Sequence, residues 1–205
     1  MNPIKVAVHG LGNIGRGVID CLLSANDFDC LGVVRRAPSV GTQAFSLRGL
    51  PDYASIDALM AARGKPDVTV ICGPSRNVPA DVRHYLEKGI NTVDSFDIHS
   101  EIPQLVADLD QAAKASGRTS ITAAGWDPGT DSVLRALFEA MTPVGTTFTN
   151  FGRGRSMGHS VAARSIAGVA NACSITIPIG GGKHSRLVYV LPAAGASFEI
   201  GRAHV

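Results

Sequence analysis

The sequence lacks the features of several protein classes. No uninterrupted apolar run approaches the ~18 residues that cross a bilayer, so we expect no membrane segment. The 19 basic and 17 acidic side chains are spread along 205 residues and give a net charge of +2. No basic stripe stands out, so nucleic acid is not an expected partner. The first predicted strand begins at Ile4, which leaves no room for a signal peptide.

The cysteines and histidines lack the spacing of disulfide or metal sites. The four cysteines show no paired spacing, and three of them lie among apolar neighbours in predicted strands or helices. That distribution suits buried thiols in a reducing cytoplasm, which we take as the predicted compartment. The six histidines form no pair at metal-binding spacing on a predicted helix, and we expect no metal.

Glycine is abundant, and its arrangement near the start gives the first functional signal. The segment 10–15 reads Gly-Leu-Gly-Asn-Ile-Gly and follows the apolar run 4–9. In a strand, glycine turn and helix, the first glycine allows the tight turn and the second leaves room for a diphosphate. The third lets the helix pack closely on the strand, and the N–H groups at the helix start face the anion. The alternative is a glycine-rich turn without a ligand. The predicted cofactor-binding residues here are Gly10, Gly12, Asn13, Ile14 and Gly15.

The acid that usually follows this turn is missing. NAD enzymes of this type carry Asp or Glu about 20 residues past the glycines to hold the ribose 2′-OH. The second predicted strand, at 30–34, ends instead in Arg35 and Arg36. Two guanidinium groups at that point suit a 2′-phosphate. The alternative is a solvated basic turn. We therefore predict NADP rather than NAD as the cofactor, with both arginines in its site.

Strand and helix patterns alternate through the first part of the chain. Apolar periodicity and capping residues predict helices at 13–25, 55–63, 79–88 and 101–116, with strands at 67–72, 91–94 and 119–123. Repeated units of this length imply an α/β fold, a Rossmann-type doubly wound parallel sheet with helices on both faces.

After about residue 142 the pattern changes. The segments 146–151, 172–178 and 186–191 are predicted strands without long helices between them, which indicates a mainly antiparallel second domain of the α+β class. We predict an NADP-binding domain at 1–125 and the start of an incomplete substrate-binding and dimerisation domain at 126–198. The glycine run before Lys183 is not a phosphate loop, because His184 stands where Ser or Thr is needed.

The last seven residues, 199–205, differ from the rest. They can be back-translated into DNA that contains the start of a common sequencing adapter. We expect this tail to be non-native read-through of a truncated gene, outside the fold.

Three predicted strand ends carry polar side chains that can meet at one edge of the sheet. Ligands of open parallel sheets bind beyond the carboxyl ends of the strands. Asp97 follows one strand and Asp127 the next, so both are expected on the same rim. Two carboxylates there could hold an ammonium group and take protons from it. The alternative is that both are helix caps, with Pro128 at a first helical position. The further cofactor-binding residues predicted at strand ends are Gly73, Pro74, Ser75, Ser95 and Phe96.

Four blocks together resemble the meso-diaminopimelate dehydrogenase family. They are the glycine turn, Thr92-Val93-Asp94-Ser95-Phe96-Asp97-Ile98-His99, Gly125-Trp126-Asp127-Pro128-Gly129, and Ser156-Met157-Gly158-His159-Ser160. The resemblance runs from residue 4 to about 198 and covers the N-terminal two-thirds of a family member. The Trp-Asp-Pro-Gly and Gly-His-Ser blocks are much more specific than the glycine turn.

The resemblance implies a function. Family members join an NADP-binding Rossmann domain to a substrate and dimerisation domain, and the expected assembly is a homodimer. They catalyse reversible, NADP-dependent oxidative deamination of meso-diaminopimelate at its D-centre, in lysine and cell-wall precursor metabolism. The products are L-2-amino-6-oxopimelate and ammonia.

The resemblance also implies roles for individual residues. Asp97 and Asp127 would surround the reacting amino group, and Arg186 would pair with the distal carboxylate. A planar guanidinium is well suited to that bidentate contact. The remaining predicted substrate-binding residues are Trp126 and Phe151 as walls, with Met157, Gly158 and Thr176.

The chain departs from the family pattern at some positions. Phe151 stands where many members carry Trp, and Arg155 stands where an apolar residue is expected. An inward guanidinium at Arg155 would change which acid is accepted. The Ser-Met-Gly-His form resembles a branch that also makes D-amino acids from simpler 2-oxo acids. The family's further substrate-binding His and Asn lie in a segment absent here.

Two alternative functions remain open from the sequence. One is a reductase of a cyclic imine such as dihydrodipicolinate, which would share the glycine turn. The other is a nucleotide-binding module without turnover.

Overall fold

The computed structural model describes residues 2–42, 44–142, 144, 152–181 and 183–196. The chain divides into two compact units, Met1–Phe138 and Glu139–Val205. The predicted boundary between the NADP-binding domain and the substrate-binding domain, at 125/126, stays a prediction. The tail 199–205 and the predicted strand at 146–151 lie outside the described residues.

The first unit is built on a six-stranded, all-parallel sheet. Its strands are β1 (Ile4–His9), β2 (Phe28–Val34), β3 (Asp52–Tyr53), β4 (Val68–Ile71), β5 (Asn91–Asp94) and β6 (Ser120–Ile121). Its helices are α1 (Asn13–Ser24), α2 (Ile56–Arg63), α3 (Val78–Glu87) and α4 (Ile102–Ser116), and most of α5 (Thr130–Met141) also belongs to it. The spatial order is β3-β2-β1-β4-β5-β6, so the direction of winding reverses between β1 and β4. That reversal point is where doubly wound sheets bind ligands.

Two apolar cores cover the two faces of this sheet. Val6 and Val8 of β1 share a buried cluster with Ile19 of α1. Ala7, which points the other way, belongs to a second cluster with Leu59 of α2 and Val82 of α3. This alternation follows from the period of two in a strand. It confirms the predicted doubly wound sheet with helices on both sides.

Local sequence signals account for several helix ends. The Ser55 hydroxyl accepts a hydrogen bond from the Ala58 N–H at 3.2 Å and caps α2, as predicted. Gly117 ends α4 in the left-handed region with φ of 63°, a conformation that costs glycine little. Helix α5 was not predicted, although Val133, Leu137 and Met141 recur along it at helical spacing. No helix in the described part of the chain is long and apolar enough to cross a membrane.

The second unit contains a three-stranded antiparallel sheet and one helix. The strands are β7 (Gly154–Ser156), β8 (Val169–Gly180) and β9 (Lys183–Pro192), in that order, and α6 spans Met157–Arg164. Strands β8 and β9 contain the two predicted segments 172–178 and 186–191. Helix α6 was not predicted. A hydrogen bond joins it to β8, in which the Ser160 hydroxyl accepts from the Ser174 N–H at 2.9 Å.

Candidate active site

The glycine turn between β1 and α1 has the close packing that its sequence predicts. Gly10 has φ of 99°, and a Cβ there would lie 3.1 Å from the Cys72 carbonyl oxygen. A Cβ on Gly15 would overlap the Gly10 carbonyl oxygen. Gly12 has no heavy atom within 4 Å of its Cβ position, so the space beside it is open. With no acid in the first turn of α1, the N–H groups of this helix end suit an anion.

Arg35 lies at the end of β2, where protein groups contact its guanidinium. Its side chain is buried, with the whole residue 7% exposed. Its Nη1 donates to Asp52 Oδ2 and to the Thr42 carbonyl oxygen, both at 2.9 Å. Its Nη2 donates to the Thr42 hydroxyl at 3.2 Å. The guanidinium therefore holds the loop after β2 against β3 through three hydrogen bonds to protein groups. This is a structural role, and the predicted phosphate contact of Arg35 stays a prediction.

Arg36 is the arginine of the pair that remains available. It is exposed, and its side chain makes no hydrogen bond or ion pair with another residue of the described part of the chain. Adjacent residues of extended chain point in opposite directions, so burial of Arg35 turns Arg36 outward. The cationic character predicted for this strand end is therefore carried by Arg36.

Asp94 organises the loops that follow β5 and β6. This carboxylate is 1% exposed. Its Oδ1 accepts from the Phe96 N–H at 3.0 Å, the Thr122 hydroxyl at 2.9 Å and the Ala123 N–H at 3.1 Å. Three donors on one oxygen hold both loops at the same rim of the sheet. Asp94 appeared in a quoted motif but was not singled out, and its burial at the end of β5 is what marks it.

The two candidate catalytic aspartates lie on these loops, and each has a partner. Asp97 Oδ1 accepts from the Ser75 hydroxyl at 2.6 Å, which connects it to the turn after β4. Asp127 Oδ1 lies 3.9 Å from His99 Nε2. His99 belonged to the quoted motif but was not predicted as a site residue. The structure thus brings Ser75, Asp97 and Asp127 to loops at the carboxyl ends of β4, β5 and β6.

The capping alternative for these aspartates is wrong. Helix α4 begins at Ile102 with Glu101 as its N-cap, five residues beyond Asp97. Helix α5 begins at Thr130, so Asp127 and Pro128 both precede its first turn. Asp97 is therefore not the N-cap of α4, and Pro128 is not the first residue of α5.

The other predicted site residues at the rim differ in how exposed their side chains are. The Trp126 ring is exposed, at 64%, and is free to form the wall of a site. Phe96 is 1% exposed and belongs to the core cluster with α3 and α4. Its predicted cofactor contact stays a prediction, and with the side chain buried it would be made by the backbone. Ser95 lies against the loop after β6, because its Cβ is 3.3 Å from the position that a Cβ on Gly125 would occupy. Gly73 and Pro74 form the turn directly after β4.

In the second unit, Arg186 is the centre of a polar cluster. Its Nη1 donates to His159 Nδ1 at 2.9 Å and to Ser156 Oγ at 3.3 Å, and its Nη2 donates to His184 Nε2 at 2.9 Å. Burial, with Arg186 and His184 nearby, lowers the pKa of His159. The imidazoles accept from Arg186 without cancelling its charge. No carboxylate pairs with Arg186 within the described ranges, so an exposed, oriented cation is available for an anion.

Strand pairing places Thr176, another predicted substrate residue, beside this cluster. Thr176 is directly opposite Arg186 across β8 and β9, and it is nearly buried. Gly158 is exposed in α6. Arg155 pairs with Ile175, one position off the Thr176 register, so alternation puts it on the opposite face of the sheet from Arg186. Its guanidinium is exposed there. Phe151 and the side chain of Met157 lie outside the described residues.

Comparisons with known proteins show the family to which this chain belongs. A family model for the diaminopimelic acid dehydrogenase C-terminal domain matches residues 125–187. Meso-diaminopimelate D-dehydrogenase of Bacteroides fragilis is 47% identical over 199 residues, which is 97% of this chain and 65% of that protein. The chain belongs to the meso-diaminopimelate dehydrogenase family. It spans about two-thirds of the length of that curated relative.

Solved structures of the meso-diaminopimelate dehydrogenase family have the same fold. A variant from Clostridium tetani E88 with DAP matches at a TM-score of 0.77 and 31% identity, over 96% of this chain and 64% of its own. An engineered D-amino acid dehydrogenase bound to NADP⁺ matches at a TM-score of 0.75 and 27% identity, over 94% and 63% of the two chains. These matches favour the dehydrogenase family over a cyclic-imine reductase.

A second family model, for a CoA binding domain, matches residues 1–97. That range contains the glycine turn and the turn after β4. The match thus covers the part of the chain in which the nucleotide site is predicted.

Proposed function

We propose that this protein is an NADP-dependent dehydrogenase that deaminates meso-diaminopimelate at its D-centre. In the oxidative direction, meso-diaminopimelate, NADP⁺ and water give L-2-amino-6-oxopimelate, an ammonium ion, NADPH and a proton. The observation that carries the proposal is the pair of partnered aspartates, Asp97 and Asp127, on loops at the rim where the glycine turn also lies. Two carboxylates at the ligand-binding rim match a cationic amino group as substrate.

The cofactor fits the residues that are present. Gly12 leaves open space for a diphosphate and Arg36 offers a free guanidinium for a 2′-phosphate. NADP⁺, when bound, accepts the hydride from the substrate carbon. The protein's own residues would orient that carbon and handle the charges around it.

Proton transfer from the substrate is assigned to the two aspartates at the rim of the sheet. Asp97 and Asp127 would hold the ammonium group through charge-assisted hydrogen bonds and take a proton from it, as the amine must be neutral to lose hydride. Ser75 would keep Asp97 oriented through its 2.6 Å hydrogen bond. His99 lies within 3.9 Å of Asp127 and could accept a proton relayed through that carboxylate.

Carboxylate recognition is assigned to the Arg186 cluster. Arg186, held by two imidazoles and Ser156, would bind the distal carboxylate of the substrate, with Thr176 beside it. The exposed position of Arg155 on the other sheet face argues against a role for it in selecting that acid. Simpler D-amino acids, which lack a distal carboxylate, are proposed as weaker substrates.

The proposal extends to domains, compartment and assembly. We propose nucleotide binding within residues 1–125 and substrate binding and dimerisation within 126–198. The free cysteines of the described chain suit the cytoplasm. A homodimer is supported by resemblance and by exposed apolar side chains on β9, where Leu187 and Leu191 are 44% and 61% exposed. Light scattering on the purified chain would measure the assembly, and a monomer at micromolar concentration would contradict the dimer.

The test is a spectrophotometric assay of the 205-residue chain with NADP⁺ and meso-diaminopimelate. The full-length Bacteroides fragilis relative is the positive control, and LL-diaminopimelate, which lacks a D-centre, is the stereochemical control. We expect NADPH formation with the meso isomer alone. NADPH oxidation with dihydrodipicolinate would favour the cyclic-imine alternative. Tight NADP⁺ binding without turnover would favour the nucleotide-binding module, and equal competition by CoA would contradict NADP as the cofactor.

A further inference from the structure

His9 is an unusual residue at the end of β1, directly before the glycine turn. It points to the same side of the sheet as Ala7, toward α3, where its ring meets the edge of Tyr85 with centroids 5.7 Å apart. Its Nδ1 is buried and has no hydrogen-bond partner among the described residues. The nearest acid is Asp81, whose Oδ2 lies 3.9 Å from that nitrogen. The His9 imidazole thus lies next to Gly10 in the sequence, with one ring nitrogen that makes no hydrogen bond to the described residues.

Asp81 connects this histidine to the second turn at the rim. It lies in the first turn of α3, and its Oδ2 is 3.8 Å from the position that a Cβ on Gly73 would occupy. His9 and Asp81 therefore lie between the turn after β1 and the turn after β4. These strands flank the point where the sheet reverses direction, the usual place for a ligand.

The charges around the pair define its protonation. Burial lowers the pKa of His9, against the opposing effect of Asp81 and with a smaller lowering from His84. Burial raises the pKa of Asp81. Near neutral pH the imidazole is neutral and the carboxylate ionised, so the pair carries one negative charge. One proton taken up removes that charge, whichever of the two groups holds it.

The other titratable and charged groups near the pair lie on the strands and the helix around it. Burial raises the pKa of Cys72, which follows β4, to about 12, and it also raises the pKa of Tyr85 on α3. Arg35, which follows β2, is already paired with Asp52 at 2.9 Å. His84 on α3 is the remaining neighbour; it is exposed, and its ring lies 5.7 Å from that of Tyr85.

We propose that His9 and Asp81 form a proton-accepting pair beneath the glycine turn, and that this pair makes dinucleotide binding tighter as the pH falls. The inference rests on the proposed function, because it requires the cofactor's diphosphate on that turn. At neutral pH the net negative charge of the pair repels the diphosphate. Protonation removes the repulsion, and reciprocity then requires that cofactor binding raises the proton affinity of the pair. We expect a roughly three- to tenfold change in Kd between pH 7.5 and pH 5.5.

The experiment is a titration of the 205-residue chain with NADP⁺ and with NAD⁺ between pH 5 and 8, with no substrate present. NAD⁺ lacks the 2′-phosphate, whose own ionisation near pH 6 would otherwise contribute. The variants are His9→Val, which keeps a strand-forming apolar residue, and Asp81→Asn, which keeps the shape. His84→Gln is the matched control, since it removes a neighbouring imidazole on the same helix.

The wild-type chain and the control should bind both dinucleotides about three- to tenfold more tightly at pH 5.5 than at pH 7.5. His9→Val should lose most of that change. Asp81→Asn should bind more tightly than wild type at pH 7.5, because the negative charge is gone. Calorimetry in two buffers of different ionisation enthalpy should show proton uptake on binding by the wild type at pH 6 and little by His9→Val.

The outcomes separate this inference from the proposed function. If the chain binds neither dinucleotide at any pH, the proposed cofactor site is wrong and the pair loses its ligand. If binding is present and the pH dependence is the same in wild type and His9→Val, the cofactor site stands and the proposed pair is wrong.

Discussion

The Ala123 N–H donates a hydrogen bond of 3.1 Å to Asp94 Oδ1, across 29 residues of sequence. Ala123 has φ of 57°, a left-handed backbone conformation that this bond helps to hold. The same oxygen binds the Phe96 N–H, one residue before Asp97. The loop that leads to Asp127 and the loop that carries Asp97 are therefore held by one buried carboxylate.

Replacing Asp94 by Ala should destabilise the first unit by about 3 kcal/mol, because three donors lose their acceptor. Chemical denaturation monitored by circular dichroism measures this change. Asp110→Ala is the control, since Asp110 makes an exposed i,i+4 pair with Lys114, which contributes about 0.3–0.5 kcal/mol. Equal losses in the two variants would contradict the organising role of Asp94.

Arg36→Ala should weaken NADP⁺ binding about tenfold or more while changing NAD⁺ binding little, since only NADP⁺ carries the 2′-phosphate. Arg35→Ala should instead lower the free energy of unfolding by about 3 kcal/mol, because it leaves Asp52 without its buried partner. Fluorescence titration and thermal unfolding of both variants separate the two roles. An unfolding free energy that Arg35→Ala leaves at the wild-type value would contradict the structural role and favour the prediction that both arginines bind the phosphate.

Replacing Gly15 and replacing Gly12 should have different effects on stability and on NADP⁺ affinity. Gly15→Ala should destabilise the chain by roughly 3 kcal/mol, since its Cβ would overlap the Gly10 carbonyl oxygen. Gly12→Ala has open space around it and should leave the melting temperature within a few degrees of wild type. It should nevertheless weaken NADP⁺ binding, because the methyl group enters the diphosphate space. Full NADP⁺ affinity in Gly12→Ala would place the diphosphate elsewhere.

Asp97→Asn and Asp127→Asn should each lower kcat/KM for meso-diaminopimelate by about 10²-fold or more, the usual scale for positioned acid–base groups. NADP⁺ affinity should change little in Asp127→Asn. Steady-state kinetics belong in a full-length family member that contains this segment, with Asp110→Asn as the matched exposed control. Near-normal turnover in both variants would contradict a catalytic role for these two aspartates. The substrate assignment would then depend on Arg186.

Arg186→Lys should raise KM for meso-diaminopimelate more than it lowers kcat, because an ammonium keeps the charge but loses the bidentate geometry. His159→Gln should have a smaller effect in the same direction, since Gln can still accept from Arg186. The activity with a D-amino acid that has no distal carboxylate serves as the internal control and should change little. Equal losses for both substrates would contradict recognition of the distal carboxylate by Arg186.

The fold of this protein was largely predictable because its signals are local. Alternating strand and helix patterns, the Ser55 cap and Gly117 each act within a few residues, and each recurs in the structure as predicted. The rim placement of Asp97 and Asp127 was also predictable, because parallel strands end at a common edge. Helix α6 was the harder case, since Gly158 and Ser160 weaken its pattern and its packing on β8 holds it in place.

The amino-acid sequence by itself determined the doubly wound sheet, the glycine turn and the residue types available at the strand ends. It did not determine which of two adjacent side chains faces a ligand. Arg35 is buried against Asp52 and Arg36 is exposed, and that choice depends on a partner 17 residues away. The pairing of His9 with Asp81 is of the same kind. Tertiary structure decides such cases because the free energy of an ionic or polar contact depends on burial and distance, which a local pattern does not contain.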